Sequence, residues 1–169
     1  MSATVEIDEE NGNSGSPALT HNISHSNMGS ADSANLNPLT YPIVPGQNSY
    51  EKWQLLHVTD MGTSTKINNI QVWRTGSLGA NAQHLTNART GSYGGAAPYA
   101  TPAAATSSVA TQAMPTSSPG STNLGIGGSL GGALTATGYS DFLVHQIQTS
   151  KNALAGNVTS MNYSYDETT

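Results

Sequence analysis

Between residues 75 and 138 the chain has a single charged side chain, Arg89, and is otherwise dominated by Gly, Ala, Ser, Thr and Pro. This stretch limits the possible folds more than any other feature. Pro98 and Pro102 bracket Tyr99 and lack the N–H a helix interior needs, and each pushes its predecessor to extended backbone. Thr106, Ser107, Ser108 and Val109 interrupt the Ala-rich run over 103–113, so that run is expected to be extended. A structureless loop of such length is unusual in a compact domain. Short strands are expected inside it, one of them over Gly127–Leu134.

On either side, alternation replaces low complexity. Residues 54–60 and 66–74 read as strands joined by a turn at Met61-Gly62-Thr63-Ser64, and hence as a hairpin. Ile70 and Val72 fall on one face of the second strand and Trp73 on the other. Residues 139–149 and 158–166 read as two more strands, the last with Met161, Tyr163 and Tyr165 on one face. No window has a helical period. The expected fold is therefore all-β, an antiparallel sandwich of immunoglobulin-like or jelly-roll type with a long Gly/Ala/Ser-rich middle region. Its core is expected to draw on Leu55 or Leu56, Val58, Ile70, Val72, Leu143, Ile147, Met161, Tyr163 and Tyr165.

Residues 1–35 are poor in apolar side chains and rich in Asn, Ser and Gly, so they are expected to form an arm, with 36–169 as the single sandwich domain. The arm has one alternating segment, Thr4–Asp8, in which Val5 and Ile7 share a face, followed by an Asn11-Gly12 turn. An edge strand is expected near Leu19–Met28. The segment suits addition to a partner's sheet edge, with Glu6, Asp8, Glu9 and Glu10 discouraging pairing between free arms.

Composition excludes several function classes. There is no Cys, so disulfides, thiolate metal sites and Cys nucleophiles are absent. The net charge is −5, and Lys52, Lys66, Arg74, Arg89 and Lys151 are scattered, which disfavours nucleic acid and anionic membranes. The first ten residues lack the basic and apolar regions of a secretory signal, and no apolar run is long enough to span a bilayer.

The catalytic motifs that match lack their structural context. Gly127-Gly128-Ser129-Leu130-Gly131 fits G-x-S-x-G, with Asp141 and His145 following in hydrolase order. The nucleophile elbow, however, needs a helix after the Ser, which Gly132, Thr135, Thr137 and Gly138 oppose. Gly125-Ile126-Gly127 fails the dinucleotide fingerprint at Leu130, and the Asp8 region fails the calcium-loop pattern at Gly12 and Leu19. His21 and His25, four apart on an extended segment, lie about 13 Å apart, too far to share a metal. No catalytic residue, cofactor or metal is expected. Trp53, Trp73 and Tyr99 are candidate partner contacts, as are Val5, Ile7, Glu9 and Glu10 of the arm.

Two stretches carry a resemblance. One is Asn48–Leu55 leading into Lys66–Trp73. The other is Tyr139–Gln146 with Ala155-Gly156-Asn157-Val158 and the closing Tyr163–Glu167. They resemble tailed-bacteriophage virion proteins with a β-sandwich, in particular capsid decoration (cement) proteins. The resemblance implies a structural protein of the virion exterior, made in the host cytoplasm, that binds the major capsid protein as a homodimer or homotrimer. A tail, neck or fibre component, and a carbohydrate-binding module using the tryptophans, are the alternatives.

Overall fold

A computed structural model of the chain describes all residues except Ser92, Gly94 and 155–157. The Ala155-Gly156 loop joining the last two expected strands lies outside the described residues. Among those described there is no helix. The strands are β1 (Thr4–Asn11), β2 (Ala18–Thr20), β3 (Lys52–Asp60), β4 (Lys66–Thr75), β5 (Ala82–Thr86), β6 (Gln112–Ala113), β7 (Ala133–Leu134), β8 (Gly138–Tyr139), β9 (Leu143–Thr149) and β10 (Ser160–Thr168). They form an all-β antiparallel sandwich, as alternation predicts. One sheet runs β2-β1-β3-β9-β5-β6, with β8 also on β3; the other runs β10-β4-β7.

The inner face of β3 reads Lys52, Gln54, Leu56, Val58, polar at one end and apolar at the other. The apolar end builds the core. Leu56, Val58 and Leu143 of the large sheet meet Ile67, Ile70 and Val72 of β4, with Leu124 and Ile126 between them. Met161, Tyr163 and Tyr165 of β10 pack against this cluster while staying half-buried.

β3 and β4 are not a hairpin. They lie in opposite sheets and pair with other strands. Within one sheet, Leu56 and Val58 would sit beside Ile70 and Val72; across the sandwich the two sets cover each other, which removes both from water. The chain crosses over at residues 61–65. Gly62 there has φ 55° and no room for a Cβ beside the Met1 carbonyl. Thr63 N–H donates to that carbonyl at 2.9 Å.

Residues 4–11 are not a free arm. β1 is an interior strand of the large sheet, with Val5↔Val58, Ile7↔Leu56 and Glu9↔Gln54 on the inner face. The alternation that would suit a partner's edge is satisfied by the chain's own β3. The edge strand that follows is shorter than expected, three residues paired to β1.

The expected strand over 139–149 is broken at 140–142. Ser140 spans the break: its N–H donates to Leu56 O and its Oγ accepts from Leu56 N–H, both at 2.9 Å. No strand runs over 127–134. Gly127 and Gly128 (φ 62° and 79°) form a two-residue turn bridging Ile126 and Ser129, and only Ala133–Leu134 pairs with β4. Within 103–113 only Gln112–Ala113 is strand. The rest covers the outer face of the large sheet, where Ala110 packs on Trp53 and Val144, joined by Ala97, Tyr99, Val109 and Phe142. This cover explains why β3 and β9 are buried on both faces.

β4 carries a bulge that its sequence alternation conceals. The register with β10 slips between Ser164 and Asp166, and Asn69 (φ 54°) is the extra residue, its Nδ2 donating to Asp166 Oδ2 at 2.6 Å. The bulge brings Ile67 onto the core face with Ile70. Asn69→Val should therefore cost about 1–2 kcal/mol and Asn69→Gly distinctly less, because a β-branched residue resists left-handed backbone. Leu143→Ala should cost about 2–5 kcal/mol. Urea unfolding midpoints check all three, and a Gly variant less stable than the Val variant would contradict the bulge.

Candidate functional site

The polar end of the large sheet's inner face is organised around Glu9. Lys52 Nζ donates to Glu9 Oε1 at 2.6 Å and to Ser33 O at 2.6 Å. Asn11 Nδ2 also reaches Glu9 Oε1, at 3.1 Å, and Gln54 Nε2 donates to Glu9 Oε2 at 2.9 Å. Glu9, Lys52 and Gln54 are all fully buried.

That arrangement fixes proton positions further along the sheet. Because Gln54 donates through Nε2, its Oε1 is an acceptor, so His145 must donate to it from Nε2, at 3.1 Å. Tyr163 OH donates to the same oxygen at 3.3 Å. A neutral His145 then has a lone pair on Nδ1, which accepts from His84 Nε2–H at 2.8 Å. His84 Nδ1 is consequently a bare acceptor, buried with no protein partner. Burial, then the Arg74 charge, holds the His84 pKa down at about 3. Burial, then His84 and Lys52, holds His145 well below the usual histidine range. Burial pushes the Tyr163 hydroxyl up, with Glu9 adding to it.

Above this row the sheets part. A cavity of about 880 Å³ lies between Ile7, His84, His145 and Ile147 of the large sheet and Met161 and Tyr163 of β10. The segments 23–28 and 38–45 form its wall, and its described lining includes no Asp, Glu, Lys or Arg. The rim is apolar and open to solvent: Leu39 is 91% exposed, Val158 86% and Leu154 81%, with Pro42 and Pro45 beside them. Exposed apolar side chains gathered at one opening mark an interaction surface more often than scattered ones do.

A second cluster lies on the opposite, outer face of the same sheet. Glu6 and Asp8 of β1 and His57 of β3 meet His21, just past β2. Their ligand atoms lie within 4.8 Å of one another.

The structure redistributes the residues singled out from sequence. Val5 and Ile7 pack against the core, and Glu9 is fully buried, so none of the three is available to a partner's sheet edge. Glu10 is half-buried on β1, its pKa raised by burial. Trp53 is fully buried, edge-on to Tyr99 and Phe142, with Nε1 donating to Glu51 Oε2 at 3.2 Å. It is unavailable for stacking on a sugar or a partner. Tyr99 is half-buried and donates to Gly12 O at 2.7 Å. Trp73, half-buried and opposite Asn162 on the outer side of β4, is the tryptophan left to an external contact. His21 and His25 go to different places: His21 joins the outer cluster and His25 lines the cavity, on a segment that is not a strand. Ser129 sits on an exposed two-residue turn, its Oγ accepting from Gly131 N–H. The Asp141 carboxylate accepts from Gly128 N–H and Tyr93 OH, and His145 is committed to Gln54 and His84. The motif thus folds as a turn in which Ser129 bonds to Gly131 and Asp141 to Gly128, while His145 bonds to Gln54 and His84.

Sequence reading missed both polar clusters. For the outer one the signal was present: Glu6 and Asp8 are two apart on a strand and so share a face. For the inner row the signal lay in strand pairing, which single-chain alternation does not reveal. Searches of the chain against protein-family models, curated proteins and solved structures find no match.

The proton assignment makes a stability prediction. An unfolded histidine binds a proton near pH 6.5, whereas native His84 does so only near 3. Below pH 6.5 protons therefore favour the unfolded chain, and stability falls with decreasing pH by about 1.4 kcal/mol per unit for each such histidine. Urea midpoints at pH 7 and 5, with imidazole ¹⁵N shifts, check this. Both rings should remain neutral at pH 5, with Nδ1 of His84 unprotonated; titration of either near 6.5 would contradict the assignment.

Proposed function

We propose that this chain is a non-catalytic structural protein of a virion, a cement or decoration subunit that binds the major capsid protein on the outside of the shell. The observation that carries the mode of attachment is the cavity mouth, with no Asp, Glu, Lys or Arg in its described lining and with exposed Leu39, Leu154 and Val158. The assignment to a virion rests on the resemblance of Asn48–Leu55, Lys66–Trp73 and Tyr139–Gln146 to decoration proteins.

The physical chemistry supports this reading. Such a mouth suits an uncharged, apolar loop or hairpin of the shell subunit, because inserting a charge there would leave it unpaired and desolvated. The sandwich behind the mouth is held by pairings already complete within the chain, so the rim can meet a partner without rearranging the sheets. Attachment at many equivalent positions makes a modest patch per copy sufficient when subunits are linked as dimers or trimers. Attachment through the rim replaces attachment through a mobile N-terminal arm, since β1 is committed to the sheet.

Leu39→Glu with Val158→Glu tests the proposal. Both side chains are exposed, so the variant should fold with an unchanged urea midpoint. Mixed with undecorated shells and sedimented, it should bind about tenfold or more weakly, the loss typical of a charge placed in an apolar contact. Wild-type occupancy by the double variant would remove the rim from the interface.

A further inference from the structure

We propose that Glu6, Asp8, His21 and His57 form a binding site for one first-row divalent cation, with Zn²⁺ as the best match, on the outer face of the large sheet. The site is separate from the cavity mouth and independent of the docking proposal.

The geometry is that of ligands already gathered. His21 Nδ1 lies 2.6 Å from Asp8 Oδ2 and 3.6 Å from Glu6 Oε1. His57 Nδ1 lies 3.0 Å from Asp8 Oδ2 and 3.1 Å from Glu6 Oε1. Two imidazole nitrogens thus converge on the same two carboxylate oxygens. Separate His–carboxylate pairs would need only one oxygen each. A tetrahedral ion with bonds of about 2.05 Å separates its ligand atoms by about 3.3 Å, and the four distances straddle that value. Their convergence comes from three chain segments that the sheet fixes independently: β1, β3 and the residue after β2.

The surroundings orient the ligands as they do around known metals. Asp8 is fully buried, and its other oxygen, Oδ1, accepts from Asn22 N–H at 2.9 Å, which leaves Oδ2 turned towards the histidines. Asn22 has φ 49°, a left-handed conformation that Asn tolerates, and it brings this amide onto the carboxylate. Tyr139 stacks on His57 with ring centroids 4.1 Å apart, the β8 residue paired to His57 across the sheet. Its packing holds the imidazole plane in place.

The donor set decides the class of ion. Two imidazoles with two carboxylates suit Zn²⁺ and its first-row neighbours, whereas Ca²⁺ and Mg²⁺ prefer oxygen alone. Four protein ligands make a closed, structural site. It would clip the C-terminal end of β2, through His21, to β1 and β3.

The test uses the tag-free full chain, treated with chelator and titrated with Zn²⁺, Co²⁺ and Ca²⁺. We expect one Zn²⁺ per chain by calorimetry, visible Co²⁺ absorption of tetrahedral intensity and no Ca²⁺ binding at comparable concentration. A Zn²⁺ excess of a hundred times Kd should raise the melting midpoint by about 5–10 °C. His21→Asn and Glu6→Gln should each weaken Zn²⁺ binding about tenfold or more. Because His21 is 55% exposed, His21→Asn should still fold, and it decides the matter if Glu6→Gln does not fold. Absence of Zn²⁺ and Co²⁺ binding, or undiminished binding by His21→Asn, would overturn the proposal.

Discussion

The ion pair between Glu9 and Lys52, closed at 2.6 Å inside the sandwich, is the interaction on which the rest of the structure depends. Burying two charges costs several kcal/mol per ion, and the pair repays this only when every remaining lone pair and proton finds a partner. Here most of them do: Ser33 O takes a second Lys52 proton, and Asn11 and Gln54 donate to the carboxylate, while the buried Asn11 Oδ1 has no protein partner. Removing one partner would leave an uncompensated charge in the interior, a loss of the order of 3–5 kcal/mol. The pair therefore ties β1 to β3. It also makes Gln54 an acceptor toward His145, which sets both histidine tautomers out to β5.

The same interaction divides the molecule. Where Leu56, Val58 and Leu143 face Ile67, Ile70 and Val72, the two sheets close on each other. Where Lys52, Gln54, His145 and His84 line the large sheet, its inner face is polar, and the cavity opens beside His84 and His145. The Glu6/Asp8/His21/His57 cluster lies on the reverse of this sheet. A metal there would tie down the β1–β2 edge of the sheet without occupying the rim.

The individual strands were legible in the sequence wherever one face is buried and the other wet. Ile70 and Val72, and Met161, Tyr163 and Tyr165, alternate cleanly and lie on the core side as alternation predicts. Partnership between strands was not legible. Residues 54–60 and 66–74 look like a hairpin because a short turn joins them, and nothing local distinguishes a turn within a sheet from a crossover between sheets. Val5, Glu6, Ile7, Asp8 and Glu9 fit an edge strand as well as an interior one, because the cation that neutralises Glu9 is 43 residues away. Trp53 looked available because its cover comes from the low-complexity residues 97–110, which have no apolar period to announce that they pack on anything. The outer cluster was half legible: Glu6 and Asp8 share a face, but His57 and His21 reach them only through pairing and the turn at Asn22.

The central claim, that β1 is locked into the large sheet by the buried Glu9–Lys52 pair, is tested most directly by native-state hydrogen exchange of the backbone amides. Strand amides that open only on global unfolding exchange with the free energy of that transition. The ladder amides of β1 between Val5 and Glu10 should exchange as slowly as those of β3, and Glu9→Gln should speed both sets together. Fast exchange in β1 beside a protected β3 would contradict the account and return the N-terminal segment to the status of an arm.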